Sequence, residues 1–154
     1  MLIDRLTRAL KKYKVQYAIA GGWAVALHGA VRGTVNIDVA LVLNLKNLKL
    51  AEAALQSMGL VSRLPVTPDD LIGFREQYIL NKKLLAWRFI NPEDYTEIVD
   101  LLIVEDLKDL KVQKIKVGAE TIPVVAKSAL IQMKKKSGRP QDLEDIKALE
   151  AIEK

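Results

Sequence analysis

Two aspartates stand inside otherwise apolar runs of this 154-residue chain, and they are the residues best placed to do chemistry. Asp38 lies in Ile37-Asp38-Val39-Ala40-Leu41-Val42-Leu43, and Asp100 in Ile98-Val99-Asp100-Leu101-Leu102-Ile103. Nearly continuous apolar runs of this length predict strands buried on both faces. A carboxylate inside such a strand is costly unless it is paired, hydrogen-bonded or metal-bound. Two such strands side by side would bring the carboxylates together as a hard-oxygen site suited to Mg²⁺ or Mn²⁺. Metal-assisted phosphoryl or nucleotidyl transfer requires that arrangement. Asn36 precedes Asp38 by two positions, so both side chains fall on one face of an extended segment. The structural alternative for Asp38 is to cap a loop or to pair with Arg32.

A second feature lies just upstream. The strand-forming run Val15–Ala20 delivers Gly21-Gly22 at the mouth of a helix. Glycine permits close approach of a phosphate to the backbone, and a helix start offers unpaired N–H groups. A plain strand-to-helix turn accounts for the same residues.

Composition removes other chemistries. The chain has no cysteine and one histidine, His28. Disulfide scaffolds, thiolate zinc sites, thiol nucleophiles and His-rich metal centres are therefore excluded. His28, before Gly29, reads as a helix cap or a packing residue. The net charge of +5 suits an anionic partner or simply solubility. Lys134-Lys135-Lys136 with Arg139 forms a basic run at a helix end, where a solvated face is the ordinary reading. Trp23 and Trp87 read as core, and Glu105, Asp106 and Asp109 as solvated. No apolar run approaches a membrane span, and the first residues do not form a secretory signal, so a cytoplasmic, non-membrane protein is expected.

The elements that must hold these residues follow from periodicity. Residues 2–14, 23–28, 45–58, 127–136 and 142–152 read as helices, and 69–83 as helix or irregular structure. Residues 15–20, 37–43, 84–90 and 97–104 read as strands, with a hairpin at 113–117 and 121–125. The chain is expected to be one domain, with a core over 1–110 and a hairpin plus two closing helices over 111–154. The expected class is α/β (α+β), a mixed sheet with helices packed mainly on one face.

The order of these elements resembles a known family. Gly21-Gly22 followed by Arg32-x-Thr34-x-Asn36-Ile37-Asp38 is similar to the nucleotidyltransferase motif, a Gly-Gly or Gly-Ser pair followed by Asp-x-Asp. The Arg-x-Thr lead-in resembles abortive-infection toxin nucleotidyltransferases of the AbiEii type and small relatives. The tail Lys134…Gly138-Arg139-Pro140-x-Asp142-x-x-Asp145 is similar to a C-terminal element of that group, and Asp100 falls where it keeps a third carboxylate. The resemblance covers roughly residues 15–150. It implies a polymerase-beta-like core and transfer of a nucleotidyl group from an NTP to an acceptor hydroxyl. It implies metal ions on Asp38 and Asp100, with Asn36 a neutral third ligand. Gly21, Gly22, Arg32, Thr34, Lys134 and Arg139 would meet the nucleotide, and Asp142 and Asp145 would order the site. The implied partners are a nucleotide, an RNA or protein acceptor and a toxin–antitoxin partner chain.

One residue departs from the motif. Asn36 stands where the first acid is expected, and it keeps an oxygen but loses the charge. Three explanations stay open: a weakly active enzyme, a catalytically inactive binding module in a toxin–antitoxin or phage-defence system, or a substitution introduced by design.

Overall fold

In a computed structural model, the described residues are 1–30 and 36–152. Among them, seven strands form one mixed sheet in the order β3-β4-β5-β2-β1-β7-β6. The strands are β1 (Tyr17–Ala20), β2 (Ile37–Leu41), β3 (Val61–Ser62), β4 (Ala86–Asn91), β5 (Asp94–Asp106), β6 (Val112–Val117) and β7 (Glu120–Val125). The α/β class and the mixed sheet are as expected. β2 pairs antiparallel with β1 and parallel with β5, while β7 pairs parallel with β1. The predicted hairpin thus extends the same sheet. The two-residue strand β3 has too little pattern to show in sequence.

The helices are α1 (Leu2–Lys12), α2 (Gly21–Leu27), α3 (Leu45–Ser57), α4 (Pro68–Gly73), α5 (Arg75–Lys82), α6 (Lys127–Ser137) and α7 (Pro140–Ala151). In α1, Ile3, Leu6 and Leu10 recur at helical spacing and are all buried. The ambiguous stretch 69–83 resolves into α4 and α5. Thr67 and Asp70 start α4 with reciprocal side-chain-to-backbone hydrogen bonds.

Two helix groups frame the sheet. α1 packs on α3 and α3 on α4, whereas α2 touches both α6 and α7. Trp87 and Phe89 on β4 are fully buried, with ring centroids 4.7 Å apart, and the Trp87 indole donates to Ser62 Oγ at 2.8 Å. No helix of the described residues is long and apolar enough to cross a membrane.

Candidate active site

The sheet register sets the site. Ala20 on β1 lies opposite Asp38 on β2, Asp38 opposite Asp100 on β5, and Asp100 opposite Arg88 on β4. Residues paired laterally in a sheet project from the same face. Asp38, Asp100 and Arg88 therefore form a transverse row across three neighbouring strands. The two aspartates expected to converge do so.

Arg88 was not among the residues singled out from sequence. Its Nε donates to Asp100 Oδ1 at 2.8 Å and its Nη2 to Oδ2 at 2.9 Å. Asp100 is only 7% exposed, so this is a sheltered, bidentate ion pair. Asp38 is the carboxylate of the row that no cation of the described residues engages directly. Burial, and then the neighbouring Asp100 charge, push its pKa up to about 6 against the pull of Lys134, Arg139 and Arg88.

Gly21 opens α2 immediately beside this row. Its φ is +61°, and an added Cβ would come within 2.8 Å of Asp38 Cγ. A glycine is required there on both counts. Asn36 precedes β2 and lines the same cleft as Gly21, Gly22 and Asp38. Arg32 and Thr34 lie outside the described residues.

The opposite wall comes from α6 and α7. Lys134 is buried, and its Nζ donates to Asp145 Oδ2 at 2.8 Å with Asp142 Oδ1 at 3.6 Å. Asp142 accepts from the Arg139 backbone N–H at 3.1 Å and from its Nε at 2.8 Å. Gln141 Nε2 donates to Asp145 Oδ1 at 3.0 Å. Asp142 and Asp145 thus tie the two helices together through Lys134. The Lys134 ammonium lines the cleft but is already held by carboxylates. The Arg139 side chain, 72% exposed, and Arg88, 46% exposed, are the more accessible cations there. Lys135 is solvent-exposed, as an ordinary basic face would be, whereas Lys136, also exposed, lines the cleft beside Glu105.

These walls enclose a cleft of about 600 Å³, within the range of small-molecule sites. One end is polar, around Asp38, Asp100 and Arg139. Leu102, Val104, Leu130 and Met133 make the other part more apolar, and the Glu105–Lys136 pair also lines the cleft.

Other candidates have structural duties. The His28 ring nitrogen Nε2 meets Val125 O at 2.9 Å, joining the end of α2 to β7. Trp23 packs against the core rather than forming a stacking platform. Glu105 and Asp106 are half-buried rather than solvated. Asp106 accepts from the Leu43 and Lys108 backbone N–H groups at 3.2 and 3.1 Å, and Glu105 lies 3.8 Å from Lys136 Nζ.

No protein-family model matches this sequence, and no curated protein does. Solved structures do match over nearly the whole chain. The lincosamide antibiotic adenylyltransferase LnuA, with lincomycin bound, superposes with a TM-score of 0.68 at 17% identity, covering 99% of this chain and 96% of LnuA. ANT(2'')-Ia in complex with adenylyl-2''-tobramycin gives a TM-score of 0.65 at 12% identity, covering 96% and 85%. An antigenic nucleotidyltransferase-like protein from Paracoccidioides brasiliensis gives 0.56 at 14% identity, covering 94% and 71%.

The fold is that of the nucleotidyltransferases.

On the nucleotidyltransferase fold, the donor set can be tested against the divalent ions that the sequence motif implied. A two-ion centre needs several charged oxygens free to turn toward the metals. Among the described residues, no group of three or more His, Cys, Asp or Glu side chains is placed to hold a metal ion. Both Asp100 oxygens accept from Arg88, and Asn36 is neutral. As folded, these residues do not fit a two-ion centre.

The raised pKa of Asp38 has a measurable consequence. A carboxyl whose folded-state pKa exceeds its unfolded value favours folding when protonated. That contribution is complete below pH 3.8, fades as pH rises through about 6, and leaves the ionised group penalised above. Asp38→Asn is therefore expected to raise stability at pH 7.5 by ~1–3 kcal/mol, an increase in Tm of several degrees. The difference between the two proteins should vanish below about pH 4. Thermal unfolding across pH 4–8 checks this, and a variant less stable than the parent at pH 7.5 would contradict it.

Proposed function

We propose that this chain binds a nucleoside triphosphate at the polar end of the cleft and transfers its nucleotidyl group to an acceptor hydroxyl. The observation carrying this reading is the in-register placement of Asp38 and Asp100 beside the Gly21-Gly22 turn, on a nucleotidyltransferase fold. Arg139 and Arg88 are the exposed cations available to the phosphates. The acceptor oxygen would attack the α-phosphorus and pyrophosphate would leave. Asp38, ionised at neutral pH and engaged directly by no cation of the described residues, is placed to take the hydroxyl proton. The apolar end is the space left for the body of the acceptor. An RNA or a protein is one class of acceptor to offer, and a toxin–antitoxin partner of the AbiEii type is one arrangement that would present it.

A second reading is nucleotide binding without chemistry. It is favoured by two neutralisations in the same site, Asn36 in place of an acid and Arg88 upon Asp100.

Both readings predict that NTPs perturb the backbone NMR signals of Gly21, Gly22, Asp38 and Asp100. Silence from all four NTPs would end both. Transfer is then tested with α-labelled NTPs offered to RNA, protein and small-molecule fractions. Label transfer that falls at least ~100-fold in Asp38→Ala supports the enzyme. Binding without any transfer leaves the binding module, and Asn36→Asp then tests whether a carboxylate there restores transfer.

A further inference from the structure

The disagreement between the motif and the donor set points to Arg88. We infer that Arg88 stands in for the divalent cation in phosphate recognition, so that a nucleoside triphosphate binds this cleft without metal. This rests on the nucleotide-binding reading above.

Position, charge and chemistry agree. Arg88 occupies the row that carries Asp38 and Asp100, and it lines the cleft together with Gly21 and Arg139. Its guanidinium is fixed by two hydrogen bonds to a carboxylate that is itself sheltered. A cation fixed in this way loses little conformational freedom when an anion arrives. Asp100 uses the Nε and Nη2 edge of the fork and leaves Nη1 for a further acceptor. The planar fork matches phosphate oxygens, and the side chain remains about half exposed. The charge balance completes the argument. Asp38, Asp100 and Arg88 together carry one net negative charge, with Asn36 contributing none. At the rim Arg139 is paired with Asp142, so that pair leaves the balance unchanged while its guanidinium stays exposed. A triphosphate entering such a site already finds cations opposite it. Two divalent ions would have to displace Arg88 from both Asp100 oxygens before meeting a second carboxylate.

The test is calorimetric titration with each of the four NTPs, in EDTA and in MgCl₂, alongside a Mn²⁺ titration followed by electron paramagnetic resonance. The expected result is an NTP Kd in EDTA within about threefold of that in MgCl₂, and no specific Mn²⁺ uptake by the unmodified chain. Arg88→Gln should weaken metal-free binding at least ~10-fold. It should also expose Asp100 beside Asp38 and create a Mn²⁺ signal. If the loss of the ion pair prevents folding, the double variant Arg88→Gln/Asp100→Asn removes both charges together. It should fold and show the same loss of metal-free binding. Binding that appears only with Mg²⁺, or that is unchanged in the folded Arg88 variants, overturns the inference and leaves the nucleotide reading standing. No NTP binding in either buffer removes that reading and this inference with it.

Discussion

Gly21→Ala is expected to cost ~2–5 kcal/mol and to abolish nucleotide binding. Two independent penalties combine. A φ of +61° places any L side chain in the left-handed region, at about 1–2 kcal/mol. The new methyl would also stand 2.8 Å from Asp38 Cγ and 2.9 Å from its Cβ, and overpacking of that kind costs about 1–3 kcal/mol. Gly59→Ala provides the control. Its φ is +84°, yet nothing lies within 4 Å of an added Cβ, so it bears only the backbone penalty. In urea denaturation Gly21→Ala should therefore lose more than Gly59→Ala. The double variant Gly21→Ala/Asp38→Ala should recover only the share of the steric loss that comes from the carboxyl group, since the contact with the Cβ of residue 38 at 2.9 Å remains, and it should not recover the nucleotide. Equal losses at the two glycines would show that the turn does not press on Asp38.

Asp145→Ala is expected to be similarly severe, at ~3–5 kcal/mol. Lys134 and Asp145 are both buried, and truncating the acid leaves an ammonium whose remaining carboxylate is 3.6 Å away. Desolvating a charge without its partner costs more than the intact pair contributes. Lys134→Met added to Asp145→Ala should therefore recover a substantial share of the loss. Equilibrium denaturation of the two single variants and the double variant supplies the cycle. A loss under ~1 kcal/mol in Asp145→Ala would mean that water reaches Lys134. The pair is also the brace between α6 and α7, so the Asp145→Ala cleft should bind nucleotide more weakly even where the variant remains folded.

How far the site was legible depends on which contacts are local. Asp38 and Asp100 were visible because one acid among branched apolar residues contradicts its surroundings. The Gly21-Gly22 turn was visible because glycine doublets punctuate strands and helices. Arg88 was not visible, and the reason is register. The hairpin between β4 and β5 closes with Asn91 opposite Asp94, and a regular ladder from that pair would set Arg88 opposite Glu97. A register shift between Ile90 and Asn91 instead sets Arg88 opposite Asp100. Glu97 pairs with Arg5 of α1. No periodicity announces such an irregularity, so the partner of the second aspartate could not be read from spacing. Lys134 was obscured differently. It sits in a run of three lysines that reads as a solvated face, and only the packing of α7 against α6 buries the first of them. An apolar residue four before it, Leu130, and a paired-acid helix, Asp142 with Asp145, were the available signals. The α4–α5 region stayed ambiguous because α5 buries none of its residues fully and turns only Tyr78 and Ile79 toward the core, too short a stripe to fix a period.

The transverse row from Ala20 through Asp38 and Asp100 to Arg88 also bears on how this protein loses its function. Each member comes from a different strand, and the side-chain alternation of a strand means that slippage by one residue would turn its member to the opposite face. Arg88 and Asp100 meet across the β4–β5 hairpin, but Asp38 and Asp100 meet across a parallel pairing that forms only when the chain has closed a long loop. No local fragment can present the complete row. The proposed nucleotide binding and global folding should therefore disappear together along a denaturant series, with one midpoint for both. In the cell, a destabilising substitution anywhere in the core would act as a loss of binding capacity, lowering the number of competent molecules while leaving the affinity of each unchanged.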